Sequence, residues 1–107
     1  TCITKKPQHC NNCDGLMKPD FVLFGEGIPE DAYANSLKAA QSADACLIVG
    51  STGEVMPAAM IPYDAKRNGA VIIEINPDKA QFTSQITDIH LKGKAGEVLR
   101  QIVETML

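Results

Sequence analysis

Residues 45–76 read ACLIVGSTGEVMPAAMIPYDAKRNGAVIIEIN, and this stretch decides the fold. Apolar runs at 45–49 and 70–75 predict two strands, because each run is short and is followed by turn residues. A helix is predicted over residues 58–67, with the Asn-Gly pair at 68–69 as its C-terminal cap. A strand, a helix and a second strand in this order predict parallel strands joined by a helical crossover. Continuous apolar strands further predict a sheet that is covered on both faces.

The same alternation continues on both sides of this stretch. Four further elements are predicted: a strand at 21–24, a helix from Pro29 to about Ser42, a brief strand at 89–91 and an amphipathic helix at 95–106. Between Asn76 and the brief strand we expect irregular chain. The whole pattern predicts an α/β fold with a parallel sheet.

The composition restricts the classes of protein to which the chain can belong. Its 107 residues suffice for one small domain, and 45% hydrophobic with 21% charged residues is typical of a soluble globular protein. No apolar run approaches the roughly 20 residues that span a bilayer, and the first residues contain no signal-peptide core. The net charge is −3 and the basic residues are scattered, which argues against a nucleic-acid-binding face. We therefore expect a cytoplasmic protein that binds neither membranes nor nucleic acid directly.

Three of the four cysteines lie near the beginning of the chain. Cys10 and Cys13 are two residues apart and Gly15 follows, which is a spacing that can hold a tetrahedral zinc ion. A structural zinc site needs four ligands, and Cys2 is the nearest further thiol. His9 is expected to be an exposed loop side chain. Two alternatives are a redox C-x-x-C pair, which normally begins a helix after a strand, and ordinary loop thiols.

Small polar residues follow both strands of the central stretch. Gly50, Ser51 and Thr52 come directly after the first strand, and Asn76 follows the second. In open α/β sheets, ligands bind beyond the carboxyl ends of the strands, so these residues could converge on a phosphate or a ribose. Taken alone, the pattern is a weak signal, because small polar residues after a strand more often form a simple turn.

Five matches in chain order resemble one known family, the sirtuins (Sir2 family). They are C-x2-C-x-G-L-x-K-P-D at 10–20, V-L-F-G-E at 22–26, G-S-T-G-E-V-M-P-A-A at 50–59, I-N at 75–76 and G-K-A-G at 93–96. Five ordered matches are far more specific than any one of them. The resemblance implies the C-terminal half of a doubly wound, Rossmann-like parallel sheet at 19–107, preceded by part of a small zinc-binding module at 1–18.

The resemblance also implies an activity and roles for individual residues. The parent protein would be an NAD-dependent protein lysine deacylase, which transfers the acyl group from lysine to ADP-ribose and releases nicotinamide. The implied zinc ligands are Cys10 and Cys13, with Cys2 as a survivor of the family's first cysteine pair on a shortened loop. The implied NAD-binding residues are Gly50, Ser51 and Thr52 at ribose and phosphate, Asn76 at the adenosine ribose, and Lys94 and Ala95 beside the adenine. The residues implied to clamp an acyl-lysine peptide as an added strand are Val22, Phe24, Gly25, Glu26, Glu54 and Val55.

The departures from the family pattern bear on activity. The G-A-G-x-S loop, the Q-N-x-D segment and the catalytic His-Gly are not found in these 107 residues. His9 and His90 stand in other contexts, and we expect His90 to pack or to be solvated at a strand end. We therefore assign no catalytic residue and expect no turnover by this chain alone. Two other interpretations are a non-catalytic, zinc-containing α/β module that binds a nucleotide or a partner, and a truncated sirtuin that forms a homo-oligomer through an exposed half-core.

Overall fold

The computed structural model describes residues 8–107, and within them the prediction of an α/β fold is confirmed. The elements are α1 (Glu30–Ser42), β1 (Ala45–Val49), α2 (Met60–Arg67), β2 (Val71–Ile75), α3 (Gln81–Gln85), β3 (Ile89–Leu91) and α4 (Ala95–Met106). The strands form a three-stranded sheet in the order β1-β2-β3, and both pairings are parallel. No helix in this part of the chain is both long enough and apolar enough to cross a bilayer.

The register of the sheet places the ends of its strands along one edge. Val49 at the end of β1 lies beside Ile75 at the end of β2, and Ile75 lies beside Leu91 at the end of β3. Because the strands are parallel, the segments that follow them emerge at the same edge. The residues predicted to bind a ligand follow Val49 and Ile75, so the topology brings them together.

The hydrophobic core lies on one face of β1 and β2, against α1, α2 and one residue of α3. Its members are Ala40, Ile48, Ala59, Ala65, Ala70, Ile72 and Phe82. Four of these seven residues are alanines, which allow the two helices to approach the sheet and each other closely. The ring of Tyr63 packs against Phe82 with 5.6 Å between the ring centroids.

The expectation of a sheet covered on both faces is met only in part within residues 8–107. Ile75 lies on the face opposite the core residue Ile72 and is fully buried, but other residues of that face are exposed. Leu47, Val49 and Val71 point away from the core and are 50%, 40% and 43% exposed. The apolar residues of β1 and β2 predicted two covered faces. The buried residues of α1 and α2, Ala40 and Ala65, pack on the face that carries Ile72.

Two other predictions from the sequence are wrong in detail. Residues 21–24 are not a strand: they have no strand partner in the described chain, and Phe24 is 92% exposed. Side chains bind part of this backbone instead: Lys18 donates to the carbonyl oxygen of Phe21, and Glu26 accepts from the N–H of Leu23. The stretch expected to be irregular after β2 contains α3, a helix too short to show an apolar period.

Candidate functional site

Gly50 and Asn76 lie side by side at the carboxyl edge of the sheet, as their positions after adjacent parallel strands predict. The N–H of Gly50 donates to the carbonyl oxygen of Ile75 at 3.0 Å. The side-chain amide of Asn76 donates to the carbonyl oxygen of Ser51 at 3.1 Å. Gly50 has a φ of +61°, which glycine adopts without the steric cost that a side chain adds. The two segments therefore meet at the carboxyl ends of the strands, the place that corresponds to the ligand-binding crevice of open α/β sheets.

The loop from Gly50 to Gly53 is held from both sides. The N–H of Gln81, at the start of α3, donates to the carbonyl oxygen of Thr52 at 3.2 Å. The N–H of Gly53 donates to the hydroxyl oxygen of Ser51 at 3.3 Å. Ser51 is half-buried and Thr52 is exposed. The loop thus has a defined shape, with small residues that leave its backbone accessible to a ligand.

The start of α4 lies next to the same crevice. The carbonyl oxygen of Asn76 accepts the N–H of Gly93 at 3.4 Å, which brings Lys94 and Ala95, the next two residues, beside the strand ends. Lys94 is the N-cap residue of α4 and Ala95 is its first helical residue. The structure thus brings all six residues implied for NAD binding to one edge of the sheet. Their individual roles stay predictions.

His90 also contributes to this edge, through a contact with the backbone of Asn76 that the sequence pattern does not reveal. Its Nε2 atom lies 3.1 Å from the carbonyl oxygen of Asn76, and the side chain is half-buried. A ring N–H at Nε2 would donate to that oxygen, alongside the N–H of Gly93. His90 therefore supports the backbone of Asn76 and is not placed as a general base.

A second concave surface, which we name the apolar cleft, has a volume of about 440 Å³. Its lining residues are Phe21, Val22, Leu23, Phe24, Gly25, Glu26, Ile28, Val55, Met56, Pro57 and Ala58. Of the six residues implied to bind a peptide, only Glu54 is not among them; it precedes Val55 in the chain and is exposed. Exposed apolar side chains gathered in this way are typical of a surface that binds another molecule.

One wall of the apolar cleft is shaped by an ion pair. Nζ of Lys18 lies 3.0 Å from Oε2 of Glu26 and donates to the carbonyl oxygen of Phe21 at 2.6 Å. The N–H of Leu23 donates to the same carboxylate oxygen of Glu26 at 3.1 Å. This backbone N–H and the Lys18 ammonium hold the pKa of the Glu26 carboxyl below its usual value. The role of Lys18 is not visible in the sequence pattern, because it depends on a partner eight residues away.

Cys10 and Cys13 lie on a tight turn between two antiparallel bridge residues, His9 and Leu16. The N–H of Cys10 donates to the carbonyl oxygen of Gly15 at 2.8 Å, and the N–H groups of Asn12 and Cys13 point at the Cys10 sulfur, which lowers the pKa of that thiol. A thiol that is more readily ionised is a better zinc ligand.

The fit of this turn to zinc can be judged from the donors present. Cys10 and Cys13 supply two free thiols, the donor type that structural zinc prefers. The Nδ1 atom of His9 lies 2.9 Å from the carbonyl oxygen of Asp14, so Nε2 is the ring nitrogen with which His9 would bind a metal. Residues 8–107 contain no group of three or more metal-ligating side chains, and Cys2 lies outside the described residues. The two thiols therefore fit half of a zinc site.

Glu74 was not identified from the sequence, although one acidic residue inside the apolar run at 70–75 is a visible signal. It is completely buried on β2. Its Oε1 atom accepts hydrogen bonds from the hydroxyls of Thr83 and Thr87, at 2.6 and 3.1 Å. Thr83 lies in α3 and Thr87 follows its end, so both belong to the segment that contacts the Gly50–Gly53 loop.

Comparisons with known proteins agree with this geometry. A model of the Sir2 family matches residues 1–57. An NAD-dependent protein deacylase of Thermococcus sibiricus is 44% identical over 94 residues, which are 88% of this chain and 36% of that protein. The structure of a Sir2 homologue in complex with NAD superimposes with a TM-score of 0.84 at 38% identity, covering 94% of this chain and 39% of that one. The structure of Sir2Tm bound to a propionylated peptide superimposes with a TM-score of 0.80 at 27% identity, covering 92% of this chain and 41% of that one.

The chain spans less than half the length of each of these relatives. The family model matches more than half of the 107 residues, and the superpositions extend over the α/β elements that follow residue 57. The relatives, the sequence motifs and the contact between the two strand-end segments indicate the same family. The chain belongs to the Sir2 family.

Proposed function

We propose that this chain forms the adenosine side of the NAD site and one wall of the acyl-lysine cleft of an NAD-dependent protein deacylase. The observation that carries the proposal is the hydrogen bond from the Asn76 amide to the carbonyl oxygen of Ser51. It joins the two strand-end segments at the place where open α/β sheets bind dinucleotides. The relatives support the proposal, since one solved Sir2 homologue is an NAD complex and another is bound to a propionylated peptide.

The crevice offers the groups that the ADP-ribose half of NAD needs. Gly50 presents its backbone without a side chain in the way, because nothing lies within 4 Å of where a Cβ would be. The hydroxyls of Ser51 and Thr52 can hydrogen-bond to ribose or phosphate oxygens. Lys94 at the start of α4 carries a positive charge on this edge, which favours an anionic ligand. NAD, when bound, supplies the electrophilic ribose carbon, and these residues bind and orient its adenosine end.

The apolar cleft offers a binding mode for an extended peptide. Residues 21–24 have the composition of a strand but no strand partner within the described chain, and their side chains are exposed. A peptide that aligns with them would pair with free backbone groups and lay its apolar parts against Val55 and Met56. Backbone pairing reads little of the peptide sequence. The propionylated peptide bound by Sir2Tm supports an acylated lysine in such an extended segment as the substrate class.

We also propose that Cys10 and Cys13 are ligands of a structural zinc ion, with Cys2 as a third ligand. Zinc bound there would fasten the turn at 10–15 to the start of the chain. Its contribution would be to folding, because it would join segments of the chain that are separate in sequence.

Calorimetric titration with ADP-ribose tests the nucleotide part of the proposal. Asn76→Ala removes the bond to Ser51, and we expect the affinity to fall by about 1–2 kcal/mol, the worth of a buried hydrogen bond. Asn35→Ala on the exposed side of α1 is the matched control and should bind as the native chain does. Equal affinity of Asn76→Ala and the native chain would reject the role of Asn76.

Deacylation assays separate this proposal from a binding module without catalysis. The chain contains no His-Gly motif of the family, so we expect no release of nicotinamide by the chain alone. Binding of an acetyl-lysine peptide that grows tighter in the presence of ADP-ribose would support a shared deacylase site. ADP-ribose binding with no affinity for the peptide would favour the nucleotide-binding module.

A further inference from the structure

Glu74 is an unusual residue to find at the centre of a small sheet. It is 0% exposed on the middle strand β2, and its register partner on β1 is the buried Ile48. Burying a carboxyl group costs free energy unless hydrogen bonds replace its contacts with water. An apolar residue would fill the same place at a lower cost, so packing alone does not account for Glu74.

The hydrogen bonds of Glu74 all go to one short segment. Its Oε1 atom accepts from the Thr83 hydroxyl at 2.6 Å and from the Thr87 hydroxyl at 3.1 Å. The oxygen of the Thr83 hydroxyl in turn accepts the N–H of Ala80 at 2.9 Å, just before α3 begins. Oε2 of Glu74 is buried and has no hydrogen-bond partner within the described chain. One oxygen of Glu74 therefore fastens the segment on both sides of α3 to the centre of the sheet.

The segment that Glu74 fastens is the one against which the nucleotide loop rests. The N–H of Gln81 donates to the carbonyl oxygen of Thr52. The ring of Phe82 lies so close to Gly53 that a Cβ at that position would come within 3.0 to 3.2 Å of three ring atoms. A displacement of α3 would thus be transmitted to residues 50–53 by a hydrogen bond and by direct contact.

We propose that Glu74 is a positioning residue for nucleotide binding: through Thr83 and Thr87 it holds α3, and α3 holds the Gly50–Gly53 loop in the shape that receives ADP-ribose. This inference rests on the function proposed above for that loop. Glu74 does not touch the ligand in this arrangement, because its side chain is fully buried and its hydrogen bonds go to Thr83 and Thr87.

Two substitutions separate positioning from a general effect on stability. Glu74→Gln keeps an oxygen that can accept from both threonines, but it places an amide N–H₂ where no acceptor is present, which lowers stability. Glu74→Leu removes the buried polar group and leaves both hydroxyls without their acceptor. We expect Glu74→Gln to bind ADP-ribose within about threefold of the native chain, and Glu74→Leu to bind about tenfold more weakly, the equivalent of about one lost hydrogen bond.

Amide hydrogen exchange provides a readout that does not depend on the ligand. In Glu74→Leu we expect the amide of Gln81 to exchange about tenfold faster than in the native chain. The amide of Val71, which donates to the carbonyl oxygen of Asp44 at the amino end of the strands, should keep its native exchange rate. Thr87→Val, at a half-buried position, removes one of the two donors and should shift Gln81 in the same direction if the leucine variant fails to fold.

The outcomes distinguish the two proposals. If the native chain does not bind ADP-ribose, the proposed function of the loop fails, and exchange at Gln81 still decides whether Glu74 positions α3. If the affinity for ADP-ribose follows the melting temperature in all of these variants, Glu74→Gln included, Glu74 has a structural role only. If Glu74→Leu leaves both the affinity and the exchange of Gln81 unchanged, the positioning role is wrong.

Discussion

A substitution at Gly53 measures how tightly the loop of residues 50–53 packs on α3. Its φ is +78°, and an alanine Cβ would lie 3.0, 3.1 and 3.2 Å from three atoms of the Phe82 ring. Phe82 is 1% exposed, so the ring cannot move into solvent to relieve the contact. The left-handed backbone costs an alanine about 1–2 kcal/mol, and overpacking a core costs about 1–3 kcal/mol. We therefore expect Gly53→Ala to lower the free energy of unfolding by about 2–5 kcal/mol.

Two other glycines separate the contributions to this effect. Gly50 also has a positive φ, of +61°, but nothing lies within 4 Å of its missing Cβ, so Gly50→Ala should cost only the backbone part, about 1–2 kcal/mol. Gly96 lies in α4 with open space around it, and Gly96→Ala should be neutral or stabilising by up to about 1 kcal/mol. Urea denaturation followed by circular dichroism measures all three. If Gly53→Ala is no more destabilising than Gly50→Ala, the close packing of the loop on Phe82 is refuted.

Two further predictions concern other parts of the structure. The N–H of Ile72 and the ammonium of Lys66 hold the pKa of Asp88 below its ordinary value of 3.8. A lowered folded-state pKa adds stability that is present above the unfolded pKa and is lost as the pH falls through the folded one. The free energy of unfolding, measured as the pH falls below 3.8, should therefore decrease more steeply in the native chain than in Asp88→Asn. An equal decrease in both would contradict this. The purified chain should contain about one zinc ion and melt at a lower temperature after chelation; Cys13→Ser should lose the metal while Cys46→Ser keeps it, and an unchanged melt would count against a structural zinc ion.

The apolar run at 21–24 shows how a local pattern can indicate the right property and the wrong element. Its composition predicts extended, apolar chain, and the chain there is exposed and lines the apolar cleft. A strand also needs a partner for its backbone, and Lys18 and Glu26 bind part of that backbone instead. Whether a second strand pairs with a segment is a non-local matter that composition does not contain.

The sequence by itself determined the elements at the centre of the molecule and the residues that meet at the sheet edge. The limits of β1 and the C-terminal cap at Gly69 follow from short-range spacing, and parallel topology brings Gly50 and Asn76 together. These features depend on neighbours within a few residues, or on a rule that holds for every parallel sheet.

Only the tertiary structure decided how that edge is supported. It showed that α3 exists, that Phe82 packs against Gly53, and that the buried carboxyl group of Glu74 binds threonines nine and thirteen residues away. It also showed that the buried residues of α1 and α2 pack on the face of the sheet that carries Ile72. Each of these depends on contacts between residues distant in sequence, and their energies arise only once the chain has folded.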